Sequence, residues 1–503
     1  MASLDNNILQ VIEPSIRPAS IEIKNVSEED KGGNKQTKSV GVATPFVSIN
    51  NYDFTHEDID FFKLNITGEY PKLSLTVRDK SKVFDVGQYP RDGDNITILI
   101  NTKNQEVYKS VHMDFDITSV SSPSEGSQDS VRYYSFQGIC KVPGLFSENC
   151  KSYSEGTSLD HLEEIATELK LGLATNIDST NDSQKRIQPY TTTFNFIKDI
   201  VNTSYVGEEC FQTCYIDQYY NLNFVDLNKI FNSKRAKGED AESIITSYAQ
   251  SIEVDSTSEG SDNIDSKLYL TNNVQAEGGS NKIASYNLKN NSSKISLSNG
   301  YKRTLQMWDD LEESSSEYEE DRLVEFDIEA FSTKKENLLD VEEPLKGRRD
   351  ETFYESHLKH KWIGRIQDYS LEGNVHLNHK YSILNNFQNM QELEKMKLVV
   401  ELQNFNPAIY RNQMIPVLMY NYSKEKVEGS RNTDEILKKK GAKPEDKSFD
   451  FKDDGESQMT LDSFLSGHYV VGGLEYIYET GNRTISQRLT LLRREWPVRA
   501  NSI

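Results

Sequence analysis

Basic residues are scarce in this chain: 57 Lys and Arg stand against 79 Asp and Glu, a formal net charge of -22 over 503 residues. Phosphate backbones and anionic membrane surfaces repel such a chain, which disfavours tight sequence-specific DNA binding and membrane-surface binding. The general use of such acidity is solubility; a sharper one is an acidic surface past which DNA slides without sticking. Long apolar runs are missing too. No stretch approaches the ~20 apolar residues of a membrane helix, and Met1 to Asn7 has neither the basic segment nor the apolar core of a signal peptide. Synthesis in the cytoplasm is expected, with any exterior location reached by assembly into a particle.

Cysteine is rare, with four in all: Cys140, Cys150, Cys210 and Cys214. Three residues separate the last two, looser than redox or zinc-knuckle spacing. On a strand they share a face, and packing accounts for them. The eight histidines include two H-x-x-H pairs, His357 with His360 and His376 with His379. On helices each pair shares a face and four ligands can converge on a metal; on strands the partners point apart. Lys359, Lys361 and Lys380 beside them repel a cation. The acidic run Asp453 to Glu456 and the loop Asp178 to Asp182 lack EF-hand ligand spacing and read as solvated loops. No nucleophile elbow, P-loop or dinucleotide fingerprint occurs. A glycosidase carboxylate pair is defined by distance in the fold, and nothing in the sequence singles one out. The expectation is a non-enzyme with no catalytic, cofactor-binding or metal-ligating residue and no cofactor.

Aromatic residues, at 10%, are too common for a globally disordered chain, although hydrophobic residues reach only 36%. The length suggests three or four packed units. Lys72 to Arg78 alternates strictly, with Leu73, Leu75 and Val77 on one face; Asn95 to Ile100 does the same with Ile96, Ile98 and Ile100. Met113 to Ile117 and Tyr133 to Ile139 continue the series. Turn clusters at Tyr89 to Asp94 and Ser121 to Gly126 lie between them. Short alternating strands at this spacing predict an antiparallel barrel or sandwich.

The period then changes. Thr157 to Gly172 predicts an amphipathic helix: Thr157 or Ser158 as cap, acidic Asp160, Glu163 and Glu164 in the first turns, Gly172 as terminator. A shorter helix follows at Thr193 to Asn202, then a hairpin at Glu209 to Val225 turning near Gln218 to Asn221. Residues 255–300 are polar, and 309–321 hold a dense acidic run that reads as solvated loop. Strand signals resume as an internal echo. Met396 to Leu402 matches Lys72 to Arg78, and Gln413 to Met419 matches Asn95 to Ile100. The pair Tyr469 to Tyr478 and Thr484 to Leu492, with a turn at Glu479 to Asn482, matches Met113 to Val120 and Val131 to Cys140.

The expected fold class is α+β, mostly β: two similar antiparallel β-barrel (tube-type) domains with an inserted small α/β region. Residues 1–42 are an extended N-terminal arm with one strand at Ile21 to Ile23, and 43–145 the first tube-type barrel. Residues 146–250 are the α/β insertion with helix 158–171 and hairpin 209–225, 251–350 acidic polar loops and linker, and 351–503 the second barrel with a charged insert at 423–460. Two similar barrels per chain let three copies present six around an axis, which mates a sixfold tube to a threefold object.

A family resemblance rests on Gly138 to Phe146 (Gly-Ile-Cys-Lys-Val-Pro-Gly-Leu-Phe), Ser154 to Ala166, Thr191 to Ile197, Cys214 to Asp217 and Tyr220 to Val225. These phrases and the element order, over about residues 45–495, resemble the central baseplate hub of contractile-tailed, T-even-like phages. They are also similar to the late control protein D family and the N-terminal half of VgrG spikes. The resemblance implies a homotrimeric, pseudo-sixfold ring in the virion tail baseplate, assembled in the host cytoplasm. Its implied partners are the tail tube protein, the central spike protein and baseplate wedge proteins, with DNA passing through the lumen without specific binding and no membrane contact. The spike is expected to be another polypeptide, and the arm and the 423–460 insert to bind neighbours peculiar to the particle. Two alternatives stand beside this: a VgrG-like hub of a bacterial contractile injection or type VI secretion system, and a tail-associated cell-wall hydrolase.

Overall fold

The structure is a computed structural model and describes residues 8–21, 44–80, 82–84, 90, 93–102, 108–122, 132–232, 269–273, 282–291, 302–309, 323–329, 355–356, 362–364, 378–423, 458–462, 464–480 and 484–493. The protein is α+β and mostly β, built on large antiparallel sheets. In the arm, β1 is Leu9–Ile12. The first strand series is β2 (Pro45–Ile49), β3 (Tyr52–Phe54), β4 (Ile59–Asn65), β5 (Lys72–Asp79), β6 (Asn95–Ile100), β7 (Val111–Ser121) and β8 (Arg132–Cys140). Its hydrogen-bonded order is β4-β5-β8-β7-β6-β2-β3. Inward residues such as Leu73, Leu75, Val77, Ile96, Ile98, Met113, Phe115 and Phe136 are buried, because alternation sends every second side chain to the core face.

An insertion follows: β9 (Glu148–Gly156), α1 (Ser158–Glu168), β10 (Gly172–Thr175), β11 (Gln184–Thr192), α2 (Thr193–Thr203), β12 (Gln212–Ile216), β13 (Asn221–Asp226) and α3 (Leu227–Asn232). Helix α1 starts with a capping box, in which the Asp160 amide donates to Thr157 Oγ1 (3.2 Å) and the Thr157 amide donates to Asp160 Oδ2 (2.8 Å). Its Leu159, Leu162, Ile165 and Ala166 are buried. Gly172 does not end it. Lys170 takes the left-handed turn at φ 58, and Gly172 opens β10, where an added Cβ would sit 2.2 Å from Asn221 Oδ1 and 2.8 Å from the Ile12 carbonyl oxygen. Close approach of β1 and β13, not helix termination, is what requires glycine here.

The second series opens earlier than the sequence suggests. β14 (Leu270–Thr271) and β15 (Ile283–Asn290) are strands of the main sheet, although 251–350 reads as loops and linker. They are followed by β16 (Lys302–Asp309), β17 (Leu323–Glu329), β18 (Glu355–Ser356) and β19 (Trp362–Gly364), which form a separate sheet, and by α4 (His379–Lys395). The acidic run 309–321 lies outside the described residues, apart from Asp309 at the end of β16. Strands β20 (Met396–Leu402), β21 (Met414–Leu418), β22 (Tyr420–Ser423), β23 (Gln458–Leu461), β24 (Gly467–Glu479) and β25 (Ser486–Leu492) complete the chain. β22 and β23 pair at the root of the charged insert, whose residues 424–457 lie outside the described residues. Helix α4 is unannounced in sequence because it is polar and lacks a side-chain cap.

The two series have the same connectivity. β15-β20-β25-β24-β21-β14 repeats β4-β5-β8-β7-β6-β2 strand for strand and in the same chain order. Both carry a register shift at matched places. In the first strand of each shared order, β4 and β15, it falls between Ile59 and Phe61 and between Ile283 and Ser285. In the long strands it falls between Ile117 and Ser119 and between Val471 and Gly473. One step differs: β2 runs antiparallel to β6, whereas β14 runs parallel to β21.

Bulges are locally specified departures from the ladder, so two of them in register are a stronger sign of a repeat than strand order alone. They also explain why β4 and β15 escape an alternation search. Ile59, Phe62 and Leu64 and their counterparts Ile283, Tyr286 and Leu288 are spaced three and then two, since the bulge adds a residue.

Candidate assembly surface

The two series join edge to edge. The second half of β24 pairs antiparallel with β4, Glu475 opposite Asn65 through Glu479 opposite Phe61. Hydrogen bonds extend the ladder at both ends, from the Ile66 amide to the Leu474 carbonyl (2.8 Å) and from the Thr480 amide to the Asp60 carbonyl (3.0 Å). The core side of this seam buries Phe62, Leu64 and Tyr476 almost completely. The opposite side is polar and continuous across β20, β25, β24, β4, β5 and β8. Lys63 Nζ pairs with Glu475 (2.9 Å), Arg488 lies 3.6 Å from Glu475 and 3.8 Å from Glu401, and Arg78 pairs with Asp60. Next to them Thr76 and Ser135 share a hydroxyl bond of 2.9 Å, and Ser74 donates to Gln137 (2.7 Å). Exposed pairs of this kind contribute at most about 1 kcal/mol each. The backbone ladder and the apolar side carry the seam.

Arg411 latches three parts of the chain. Its guanidinium donates to the Gly68 and Ile66 carbonyls beyond β4 and lies 4.1 Å from the Tyr215 ring centre, while the Tyr215 hydroxyl donates to the Arg411 carbonyl (3.2 Å). Burial lowers the guanidinium pKa and raises that of the Tyr215 phenol. Arg411→Ala is expected to lower stability by about 2–3 kcal/mol, the sum of a charged hydrogen bond and a desolvated cation–π contact. Arg411→Lys is expected to recover less than half, since an ammonium has no planar face to lay on the Tyr215 ring. Chemical denaturation of the three proteins checks this; equal midpoints would refute the latch.

The insertion is seated on the first series through Asp114. Its amide donates to Tyr220 Oη (2.7 Å), while its carboxylate accepts from Thr97 Oγ1 (2.6 Å) and from the Ala19 amide of the arm (3.1 Å). The arm's strand is therefore Leu9–Ile12, paired with β10, rather than Ile21 to Ile23. Ile21 is not in a strand, and Ile23 lies outside the described residues. Helix α4 docks on the other side of the insertion: Asn386 Oδ1 accepts from the Gln212 amide (2.7 Å) and Asn385 Nδ2 donates to the Glu208 carbonyl (2.7 Å).

Residues singled out for chemistry fall elsewhere. Cys140 and Cys210 are buried, Cys214 is half-buried and Cys150 is exposed on β9, all as free thiols. Burial pushes the Cys140 and Cys214 thiols up to about 12, away from the thiolate that metal binding and redox chemistry need. Cys210 precedes β12, with its sulfur 3.4 Å from Ser382 Oγ, whereas Cys214 lies within the strand near Glu69 and Arg411, so the two form no pair. His357, His360 and His376 lie outside the described residues, as do Asp453 to Glu456; His379 opens α4.

Asp182 is the main departure from the loop expected at 178–182. It is fully buried and accepts from the Ser158 amide (3.0 Å), the Ser158 hydroxyl and the Tyr205 amide (2.9 Å). Arg186, also fully buried, donates to Ser158 Oγ and Thr203 Oγ1, each at 2.8 Å. Burial lowers its guanidinium pKa to about 10, against the pull of Asp182 and Asp199. Asp178 is 98% exposed and stands 3.5 Å from Lys229 Nζ. The network ties α1 to the loop after β10 and to α2. No group of three metal-ligating side chains stands together among the described residues.

His161 adjoins that network, with Nε2 donating to the Ser154 carbonyl (2.9 Å), and burial holds its pKa below the usual 6.5. The unfolded chain therefore takes up a proton first as the pH falls, so this contribution is fully present above pH 6.5 and is lost below it. His161→Gln is expected to flatten the stability loss between pH 6.5 and 5, a slope of at most about 1.4 kcal/mol per pH unit. Denaturation midpoints at several pH values check it; an unchanged slope would refute a neutral buried imidazole.

Fold and surface together define a mostly-β protein with a repeated strand series and an α/β insertion. Solved structures similar to it include a tail protein from Neisseria meningitidis (9% identity, TM-score 0.47, 90% of this chain and 97% of that one). Another is the 43 kDa tail protein of prophage MuSo2 from Shewanella oneidensis (9%, 0.46, 90% and 98%). A third is the E. coli c3393 protein, a component of the type VI secretion system with structural similarity to T4 tail proteins gp27 and gp5 (9%, 0.40, 90% and 79%). No protein-family model and no curated protein matches the chain. No helix among the described residues is long and apolar enough to cross a membrane.

Proposed function

We propose that this chain is a structural, non-catalytic hub subunit of a contractile phage tail baseplate. Three copies close into a pseudo-sixfold ring between the sixfold tail tube and the threefold central spike. The observation that carries the reading is the repeat: two strand series of equal order, with bulges in register, joined edge to edge within one polypeptide. A chain that already holds two like units side by side converts threefold copies into sixfold contacts. In this reading each series is a tube-type barrel wall.

The polar face shared by the two series lines the lumen through which DNA passes. Its described ion pairs balance: Lys63 and Arg488 face Glu475 and Glu401, and Arg78 faces Asp60. Weak adhesion to DNA then comes from neutralised charge among hydroxyls rather than from the net acidity that the composition suggests. Such a wall offers phosphates few free cations and little counterion release. Tube, spike and wedge proteins are the remaining partners, and the virion baseplate is the location.

Sedimentation and negative-stain electron microscopy of the purified full chain test the reading. A threefold assembly with a central hole and six similar lobes is expected; a compact monomer or dimer at micromolar concentration would overturn it. A peptidoglycan zymogram is expected to be blank, and a lysis band would overturn the non-catalytic part.

A further inference from the structure

The buried polar layer between the β9·β11 sheet and the helices of the insertion holds two side chains with hydrogen-bonding atoms to spare. Strand β11 alternates: Gln184, Arg186 and Gln188 are buried, whereas Lys185, Ile187 and Pro189 are exposed. Arg186 reaches Ser158 of α1 and Thr203 of α2, so the buried side is the one under the helices. Gln184 is 1% exposed, yet neither its Oε1 nor its Nε2 meets a hydrogen-bond partner among the described residues. His161, 2% exposed on α1, donates from Nε2 to the Ser154 carbonyl (2.9 Å) and has no partner at Nδ1 among the described residues. A carbonyl only accepts, so Nε2 carries the proton and Nδ1 of the neutral ring presents a lone pair.

Register makes the two residues neighbours. Gln184 stands opposite Gly156 on β9, and residues directly opposed in an antiparallel pair project to one face with Cβ positions about 5 Å apart. A Cβ added to Gly156 would lie 3.4 Å from His161 Nε2. Gly156 therefore stands between the Gln184 side chain and the edge of the imidazole, and its lack of a side chain leaves that space to them. Charge narrows what can fill it. Ser158, one turn before His161, donates its amide to Asp182 (3.0 Å) and accepts from Arg186 (2.8 Å). The guanidinium disfavours a cation nearby, and the buried Asp182 carboxylate disfavours an anion. Two acceptors, Nδ1 and Oε1, and one donor, Nε2, complement a neutral molecule with two hydrogens to give and a lone pair to receive.

We propose that a water molecule is bound between α1 and β11, donating to His161 Nδ1 and to Gln184 Oε1 and accepting from Gln184 Nε2. Buried waters characteristically make about three hydrogen bonds, to polar groups that the chain itself leaves unmatched. This one extends the Asp182–Ser158–Arg186 network by one step along both elements, from Ser158 to His161 on α1 and from Asp182 to Gln184 on the chain entering β11. Helix α1 is thereby tied to the β9·β11 sheet by a continuous polar layer, with the water as the member that the sequence does not encode. A fully satisfied layer of this kind holds its elements in one relative placement. The site is complete within one chain and does not depend on the ring reading.

High-resolution crystallography of the full chain tests the site directly. A density peak within about 3.2 Å of both His161 Nδ1 and the Gln184 carboxamide is expected. Density that is empty there, or Gln184 bonded directly to His161 or to another side chain, would overturn the proposal. Thermal unfolding gives a second reading in which the sign decides. Gln184→Met removes both amide functions at nearly constant volume. With the water bound, the variant loses two of its three hydrogen bonds and leaves Nδ1 poorly matched, so the unfolding midpoint is expected to fall below that of the wild type. A buried amide without any partner is itself destabilising, so in a dry site the same substitution relieves a penalty. A midpoint equal to or above that of the wild type would therefore overturn the bound water.

Discussion

Asp182→Ala is expected to cost about 3–5 kcal/mol, with a fall in unfolding midpoint on the order of 10 °C. The carboxylate is fully buried, closes hydrogen bonds from Ser158 and Tyr205, and supplies negative charge to Arg186, itself fully buried. Removing it strands a guanidinium in a site of low polarisability, with Asp199 as the remaining opposite charge. Breaking a buried pair from one side is far more damaging than replacing both partners. The double variant Asp182→Leu with Arg186→Met is accordingly expected to recover most of the loss. Scanning calorimetry of the wild type and both variants checks this. A single variant with the wild-type midpoint would mean that the loop at 178–182 is solvated, as its sequence suggests.

The second large effect separates two residues that hold the same place in the two strand series. Phe62→Ala is expected to destabilise the chain by about 3–5 kcal/mol, the usual cost of emptying a buried aromatic site. The side chain is fully buried under the β4·β24 seam, opposite Tyr478 and Leu75. Tyr286→Ala removes an aromatic ring from the matching position but is expected to cost the unassembled chain less than about 1 kcal/mol, because much of that ring already faces solvent. Urea unfolding below the concentration at which the chain associates provides the comparison. Equal losses would show that β15 is already covered within one chain.

The strands that alternate without interruption were legible in the sequence. Lys72 to Arg78, Asn95 to Ile100 and Met396 to Leu402 read as strands because their side chains switch faces every residue, and they lie in β5, β6 and β20. Thr157 and Asp160 announced the start of α1 through side-chain chemistry that needs no tertiary partner. Strands β4 and β15 were not legible as such. Ile59 to Leu64 carries its bulge at the point where alternation would have revealed it, and so does Ile283 to Leu288. The signal that finds both is the shared spacing of Ile, then Phe or Tyr, then Leu, three and two residues apart.

The buried network escaped for a different reason. An Asp in a Ser- and Asn-rich loop reads as solvated unless its neighbours in space are known. Asp182 is separated from Ser158 and Tyr205 by more than twenty residues on either side.

Composition and local pattern determined that this chain is acidic, mostly β and twofold in its own plan, because charge and side-chain period are properties of neighbours along the backbone. Which strand lies beside which and where the bulges fall were decided only by the tertiary structure. Pairing energy in a sheet comes from cross-strand neighbours distant in sequence, and a period of two fixes the face a residue points to without naming its partner.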